Sequence, residues 1–293
     1  MNPTKAGDFP TQVSSWGQLT ALVEHFSFFA GHAWLFRGVS DASHRLLPKI
    51  GRLGLRKRKY GPAGWKHVPY RREDERAVFT MFKQQARAYL PVPPATDLEW
   101  LVLAQHFGLP TRLLDWTDGL LVAAWFAVEK AGAKAVDSAI WVTKQVPVLP
   151  SDFVGDPLTL PQPHTVRPPH ISPRISAQGS VFVLCPIPTA EPNLPFTKKI
   201  TIARGSEFNL KKRLHACGIN RRHLFPDLAG LSDHLGWIYK NDWLAGYRGT
   251  ATAMVDDSPD ADQPPPAAPR RRHKESASKP ARKRAARSRP ARG

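Results

Sequence analysis

The chain has 293 residues, of which 42% are hydrophobic and 10% aromatic, so it can build a folded core and a wholly disordered protein is excluded. Its 42 Lys and Arg against 24 Asp and Glu give a formal net charge of +18, which favours an anionic partner such as nucleic acid. More than half of that excess lies in residues 264–293, which contain eleven Lys or Arg and one acidic residue, Glu275.

Three amphipathic helices are predicted in the first part of the chain. Apolar residues at helical spacing run from Trp16 to Phe29, and a second apolar stripe runs from Glu73 to Leu90 behind acidic residues that suit a helix start. A third helix is predicted from Thr96 or Asp97 to Phe107, because Gly108 and a proline follow it.

Strands and further helices alternate along the middle of the chain. Ala33–Arg37 is short, aromatic-rich and followed by a glycine, which is typical of a buried strand. Residues 111–119 (TRLLDWTDG) are predicted to form a loop, Leu120–Glu129 a buried helix, and Ala139–Thr143 a strand.

Residues 145–173 hold eight prolines in 29 residues and show no periodicity, which predicts an irregular surface excursion that could act as a lid. Strands are then predicted at Ser180–Leu184 and Lys199–Ile202, and helices at Glu207–Cys217 and Leu228–Tyr239. These elements predict an α+β fold: a single domain with a mixed or antiparallel sheet flanked by helices. We place this domain at residues 14–250, behind a flexible amino terminus at residues 1–13.

The carboxyl-terminal part, residues 251–293, is predicted to be a disordered linker and basic tail. The last thirty residues contain six prolines and no apolar side chain larger than alanine, so they cannot offset the entropy lost on ordering. Eleven cations in such a segment attract nucleic acid without sequence preference. Nonspecific nucleic acid is therefore the partner expected for residues 264–293.

The two cysteines, Cys185 and Cys217, show no metal-like or disulfide-like spacing and indicate buried thiols in a reducing compartment. The chain has no apolar run long enough for a membrane span and no secretion signal at its start. The sequence therefore predicts a cytoplasmic protein without a membrane partner. No pattern of metal ligands stands out, so no metal is predicted.

One arginine, Arg37, stands at the end of an apolar strand directly before Gly38. A guanidinium there is costly unless it meets a carboxylate, backbone carbonyls or a bound anion, because it cannot be deprotonated. Two interpretations stay open. Arg37 is either half of a buried pair with an aspartate or a clamp for a phosphate group.

A second group of polar residues lies between two apolar helices and forms either a closed hydrogen-bond network or the lining of a pocket. Arg112 can simply pair with Asp115, His106 can cap a helix, and Thr117 can be an ordinary N-cap. A helix amino terminus beside an unpaired arginine also suits a pyrophosphate. The members of this group are Gln105, His106, Thr111, Arg112, Asp115, Trp116 and Thr117.

A third polar residue, Gln178, precedes Gly179 and a strand, where its amide either satisfies the backbone or faces the same cleft. The sequence lacks the motifs of phosphate-loop hydrolases, dinucleotide-binding dehydrogenases, zinc metalloproteases and serine hydrolases, which disfavours those classes. Further basic clusters at Arg56–Lys59, Lys211–Arg213 and Arg221–Arg222 are either solvated surface or phosphate contacts.

Three blocks of the sequence resemble the FRG domain family, which is named for an aromatic-Arg-Gly motif. This motif is Phe36-Arg37-Gly38 here, the middle block is Ala104–Ala127, and the third is Gly218–Leu231. The resemblance spans about residues 16–239 and implies a bacterial or phage protein of a poorly characterised family. The 145–173 excursion and the basic tail look like additions to the family pattern.

The order of an arginine, a Thr-rich segment and a later polar residue is also similar to the motif order of ADP-ribosyltransferases. That similarity implies that Arg37 grips the phosphates of NAD, that the segment from Thr111 to Thr117 lines the pocket, and that Gln178 occupies the acidic position. Since Gln178 carries no charge, Asp115 is the alternative source of the carboxylate.

Two functions follow from these resemblances and residues. The first is a nucleotide-handling enzyme of ADP-ribosyltransferase type that uses NAD in a bacterial toxin or phage-defence setting. In it Arg37, Asp115 and Gln178 are catalytic, while the pocket group from Gln105 to Thr117 binds the dinucleotide. The alternative is a noncatalytic interaction module in which Arg37 and Asp115 form a structural pair and the basic tail binds nucleic acid.

Overall fold

The computed structural model describes residues 7–29, 31, 33–54, 57–59, 65–67, 69–130, 136–168, 172–241 and 243. The helices within these residues are α1 (Trp16–Phe28), α2 (Lys49–Gly54), α3 (Arg72–Ala86), α4 (Asp97–His106), α5 (Leu120–Val128), α6 (Pro173–Ala177), α7 (Glu207–Ala216), α8 (Arg221–Leu224) and α9 (Leu228–Lys240). The strands are β1 (Gln12–Val13), β2 (Trp34–Val39), β3 (Lys57–Lys59), β4 (Trp65–His67), β5 (Leu113–Thr117), β6 (Ser138–Lys144), β7 (His164–Val166), β8 (Ser180–Leu184) and β9 (Lys198–Ile202). The predicted tail at residues 264–293 lies outside the described residues.

Seven of these strands form one sheet in the order β1-β9-β6-β2-β5-β8-β7, and β3 and β4 form a separate hairpin-like pair. β1 is parallel to β9, whereas the other pairs of the large sheet are antiparallel. The predicted α+β class with a mixed sheet and flanking helices is confirmed.

The two central strands of the sheet diverge. β2 pairs with β6 along its whole length, and β5 pairs with β8 along its whole length. Between β2 and β5, however, the only register pair is Phe36 with Thr117. Beyond that pair the strands separate, and the sheet opens into a cleft beside Arg37.

The helices cover the sheet in separate hydrophobic clusters. The largest joins α1, α5 and α7 to β2, β6 and β9 through residues such as Leu19, Trp125 and Ile200, all buried. A second cluster joins α3 and α4 to β5 and β8 through Phe79 and Leu101. Burial of apolar side chains on both sides of the strands therefore fixes the positions of β2 and β5.

Helix α5 packs directly on the backbone of β2 at Gly38. A Cβ atom added at Gly38 would lie 1.9 Å from the carbonyl oxygen of Ala123 and 2.6 Å from the amide nitrogen of Ala127. Only glycine allows this approach. The glycine of the Phe36-Arg37-Gly38 motif thus has a packing role that the sequence alone did not indicate.

The loop predicted at residues 111–119 was wrong, because this segment contains the central strand β5. Leu113, Leu114 and Trp116 are buried and only Asp115 is exposed within the strand. A strand covered on both faces does not alternate apolar and polar residues, so the periodicity that reveals an exposed strand is missing.

The surface excursion predicted at residues 145–173 was also wrong for much of its length. It includes β7, which extends the sheet beside β8. Leu149, Leu158 and Val166 are buried in the cluster beneath α3 and α4. The segment is therefore part of the core, and the idea of a lid stays a prediction for which this packing gives no support.

The amino-terminal residues 9–13 belong to the folded domain, contrary to the expected flexible stretch at residues 1–13. β1 pairs with β9, and Phe9 and Val13 are buried in the largest cluster. The other predicted domain limit, at residue 250, lies outside the described residues. Of the two thiols expected to be buried, Cys185 is buried and Cys217 is exposed.

Candidate functional site

The opening between β2 and β5 is a cleft with a volume of about 670 Å³. Besides the two strands, its walls come from the end of α4, from α6 and from the start of β8. It brings together seven of the nine residues that the sequence predicted for the site: Arg37, Gln105, His106, Asp115, Trp116, Thr117 and Gln178. Thr111 and Arg112 do not line it.

Arg37 spans the separated strands. Its Nη1 donates a hydrogen bond of 2.5 Å to the main-chain oxygen of Asp115 and lies 3.5 Å from Oδ2 of the same residue. The Arg37 side chain is only 15% exposed, whereas that of Asp115 is 60% exposed. Within the described part of the chain, Nε and Nη2 of Arg37 donate no hydrogen bond, so these groups remain available in the cleft.

A chain of hydrogen bonds orients the Asp115 carboxylate. The amide of Leu113 donates to Thr111 Oγ1 at 3.0 Å, and the Thr111 hydroxyl donates to Gln105 Oε1 at 2.7 Å. Gln105 Nε2 then donates to Asp115 Oδ1 at 2.8 Å. Thr111 therefore lies outside the lining of the cleft and holds the Gln105 amide in place through its hydroxyl. Gln105 in turn fixes Oδ1 of the Asp115 carboxylate.

A hydrogen bond between Thr117 and Gln178 links the end of β5 to the segment just before β8. The Thr117 hydroxyl donates to the carbonyl of Gln178 at 2.7 Å and accepts from the amide of Gly119 at 3.0 Å. Gly119 holds the N-cap position of α5, so of the two interpretations left open for Thr117, that of an ordinary N-cap is wrong. Gln178 Nε2 donates to the carbonyl of Leu224 at 2.9 Å, which ties its amide to α8.

Arg112 was wrongly assigned to the cleft and does not pair with Asp115. Its side chain is fully buried and makes two hydrogen bonds to the Glu75 carboxylate, Nε–Oε1 at 3.1 Å and Nη2–Oε2 at 2.6 Å. The same guanidinium donates to the Tyr70 hydroxyl and to the carbonyl of Leu158. A charge satisfied in this way holds the surrounding elements together and has no free donor for a ligand.

Two cations of the cleft were missed. Lys49 lies at the start of α2, and its Nζ donates to the carbonyl of Gly108 at 2.6 Å. Arg174 lies in α6, where its guanidinium carbon is 4.4 Å from the centre of the Phe225 ring. The Ser172-Pro173 pair could have revealed the start of α6, because serine caps helices and proline suits their first position.

Two aromatic residues complete the polar lining. Burial, and secondarily the charge of Arg174, lower the pKa of His106 below its ordinary value of 6.5. His106 is therefore neutral at pH 7 and does not add to the positive charge. The indole Nε1–H of Trp116 is buried and has no hydrogen-bond partner among the described residues.

The cleft offers no obvious metal site. No group of three or more His, Cys, Asp or Glu side chains placed to hold a metal ion occurs among the described residues. What the cleft does offer is a partly buried guanidinium, an oriented carboxylate and two further cations.

None of the helices in the described residues has the length and apolar character needed to cross a bilayer.

These features define an α+β domain with an arginine-lined cleft in a divided sheet. The family model described as FRG domain matches residues 32–135. The chain therefore contains an FRG domain over that range, which includes the Phe36-Arg37-Gly38 motif and the elements from β2 to α5. The third block of the resemblance, Gly218–Leu231, lies beyond the match. No curated protein and no solved structure matches the chain.

Proposed function

We propose that the cleft binds NAD and that the protein is an enzyme of ADP-ribosyltransferase type. The observation that carries this proposal is the state of Arg37, which is largely buried, lines the cleft and keeps Nε and Nη2 without a protein acceptor among the described residues. Such a guanidinium is best satisfied by a phosphate group, which accepts two parallel hydrogen bonds.

The charge and the size of the cleft support an anionic ligand of this kind. Arg37, Lys49 and Arg174 face a single carboxylate, that of Asp115, so the described lining carries a formal excess of positive charge. The volume of about 670 Å³ lies within the range of about 300–1,000 Å³ that is usual for small-molecule sites. The buried Trp116 Nε1–H adds one donor that a ligand oxygen could satisfy.

Asp115 is the best candidate for the charged group of the reaction. In the proposed transfer the glycosidic bond of NAD breaks, its electron pair leaves with nicotinamide, and an acceptor atom bonds to C1′ and loses its proton. A carboxylate stabilises the positive charge that develops at C1′, which a neutral amide cannot do. Gln178 is neutral and its Nε2 is already bonded to Leu224, whereas Asp115 is exposed and oriented by Gln105.

The biological setting comes from the family resemblance alone. A toxin or phage-defence role in the bacterial cytoplasm is part of this proposal, and NAD loss or modification of a target would be its biochemical basis.

The proposal is tested with NAD and the purified full chain. Calorimetry should detect NAD binding, and chromatography should detect release of nicotinamide. Arg37→Ala should abolish both, because the phosphate clamp is removed. Arg204→Ala is the matched control, since Arg204 is exposed and lies outside the cleft. If the wild-type protein neither binds nor consumes NAD in the presence of a cell extract, the proposal fails.

One observation favours the second candidate, a noncatalytic interaction module. Arg37 joins β2 to β5 through Asp115, as a purely structural pair would. On this interpretation Arg37→Ala lowers the free energy of unfolding and leaves every NAD measurement at background. Deleting residues 264–293 should then remove most of the salt dependence of DNA binding, because the basic tail would be the nucleic-acid site.

A further inference from the structure

Two further cavities follow the cleft along the surface, each sharing residues with the one before it. A cavity of about 290 Å³ shares Arg37, Gly38 and Phe126 with the cleft. A third cavity, of about 370 Å³, shares Glu129 and Lys130 with the second. Arg37 and Gly38 lie in β2, Phe126 lies in the carboxyl-terminal half of α5, and Glu129 and Lys130 lie just beyond that helix. Because they share lining residues, the three cavities adjoin one another along the surface, and we call them together the α5 groove.

The lining of the α5 groove is strongly basic. Each of its three segments contributes three cations: Arg37, Lys49 and Arg174 in the cleft; Arg45, Arg52 and Lys130 in the middle; Lys211, Arg221 and Lys240 at the far end. Among the described residues only three carboxylates line it, those of Asp115, Glu129 and Asp233. A run of positive charge of this length suits a ligand with several phosphates in a row.

Ion pairs neutralise part of this charge, since Arg37 pairs with Asp115 and Arg45 pairs with Glu191. Arg221 is paired with both Glu129 and Asp233. In contrast, five of the other cations form no ion pair within the described part of the chain: Lys49, Lys130, Arg174, Lys211 and Lys240. Two of the three carboxylates are thus occupied by a single arginine, and cations remain unpaired in every segment of the groove.

Aromatic rings accompany the cations. Phe107 lies at the rim of the cleft and is 70% exposed, and half-buried Phe126 lies where the cleft meets the second cavity. An exposed ring such as Phe107 beside a basic groove is a surface on which an unpaired base stacks, and each stacked base contributes about 1–3 kcal/mol. Phe126 packs against Trp125 and Phe225 and offers only part of its ring. A double helix keeps its base faces stacked and presents none to such a ring, which favours a single strand.

We propose that a single-stranded nucleic acid binds along the α5 groove, with its phosphates on the lysines and arginines and bases against Phe107 and Phe126. Binding of the strand does not need NAD; when NAD occupies the cleft, the strand keeps its contacts in the middle and far segments of the groove. One consequence does rest on the proposed function: where ADP-ribosyl transfer takes place, the strand that reaches Asp115 is its acceptor.

The proposal is tested by fluorescence anisotropy with the full chain, a labelled thymidine oligonucleotide of about fifteen residues, and no NAD. The groove variant is Lys130→Ala/Lys211→Ala/Lys240→Ala. The control, Arg72→Ala/Arg87→Ala/Arg204→Ala, removes the same charge from exposed positions outside the three cavities. Because both variants keep the basic tail, any contribution of residues 264–293 is the same in each.

The salt dependence gives the decisive result. Each lost phosphate contact flattens the plot of log affinity against log salt by about 0.7 for single strands, so the groove variant should lose about two units of slope. The control should keep the wild-type slope. Equal slopes for the two variants overturn the proposal. If the triple variant fails to fold, Lys130→Glu replaces it, since Lys130 has no ion pair to lose among the described residues.

Cross-linking supplies an independent readout on the unmodified protein. With 5-iodouridine in the oligonucleotide, ultraviolet cross-links should map to the peptides that contain Phe107 or Phe126. Cross-links confined to other parts of the chain contradict the proposal. Binding in the groove without NAD consumption supports the groove and refutes the NAD proposal, whereas NAD consumption with groove-independent binding supports the NAD proposal and refutes the groove.

Discussion

Arg112 and Glu75 form a bidentate ion pair that is buried on both sides, with side chains 0% and 4% exposed. The Tyr70 hydroxyl donates to Glu75 at 2.6 Å, and burial together with this carboxylate raises the pKa of Tyr70 to about 12. Tyr70 therefore stays protonated and completes the network. Arg37, by contrast, keeps free donors beside a cleft, so these two arginines have opposite roles.

Breaking the buried pair should destabilise the fold strongly. Glu75→Gln leaves the Arg112 cation buried without its counter-charge, and we expect a loss of about 3–5 kcal/mol in the free energy of unfolding by urea. The control is Lys83→Ala, because the Lys83–Asp97 pair is partly exposed and its loss should cost about 0.2–1 kcal/mol. A similar small loss for both variants would show that the Arg112 network is not a major source of stability.

A methyl group at Gly38 should also be poorly tolerated. It would overlap the backbone of α5, which cannot move as a flexible side chain does, so Gly38→Ala should cost about 3 kcal/mol or prevent folding. Gly17→Ala is the matched control in helix α1, where the added carbon would meet nothing within 4 Å apart from its chain neighbours and the backbone of its own helix. There alanine should stabilise the helix by about 0.5–1 kcal/mol. Thermal unfolding measures both effects, and equal melting temperatures would contradict the packing argument.

The features that could be predicted from the sequence are those that follow from local periodicity or from the cost of burying a charge. The helices at 16–29, 73–90 and 96–107 were recognisable from their apolar stripes, and Arg37 from its position at the end of an apolar strand. Arg112 was misassigned because its partner, Glu75, lies 37 positions earlier in the chain and only the fold brings them together. Lys49 and Arg174 were missed for the same reason: tertiary packing, rather than a local pattern, places them at the cleft.

Acid should destabilise the protein through three histidines. Burial is the main cause that lowers the pKa of His106, His215 and His234 below 6.5, so the folded state binds protons on them less readily than the unfolded chain does. The unfolded chain takes up these protons near pH 6.5. Because the unfolded state then binds more protons, the free energy of unfolding should fall as the pH is lowered from about 7 through 6.5.

Two of these imidazoles can be removed together. His215 and His234 stack with ring centres 5.2 Å apart, and His215→Gln/His234→Gln should flatten the pH dependence measured by urea unfolding. A slope as steep as that of the wild type would assign the acid sensitivity to other groups.

Gln105 should act as a positioning residue for Asp115. It donates to Asp115 Oδ1 and is itself held by the Thr111 hydroxyl, so the carboxylate keeps one orientation. If NAD cleavage takes place in the cleft, Gln105→Ala should lower kcat by about tenfold to a hundredfold with a much smaller change in KM, because misplacing a reacting group affects the chemical step.

The isosteric variant Gln105→Glu distinguishes positioning from packing. It keeps the shape of the side chain but replaces the donor with a second carboxylate, which repels Asp115 and cannot hydrogen-bond to it. We therefore expect its kcat to be as low as that of Gln105→Ala, measured by nicotinamide release. A glutamate variant with wild-type kcat would show that Gln105 only fills space beside the cleft, and that the orientation of Asp115 does not depend on this hydrogen bond.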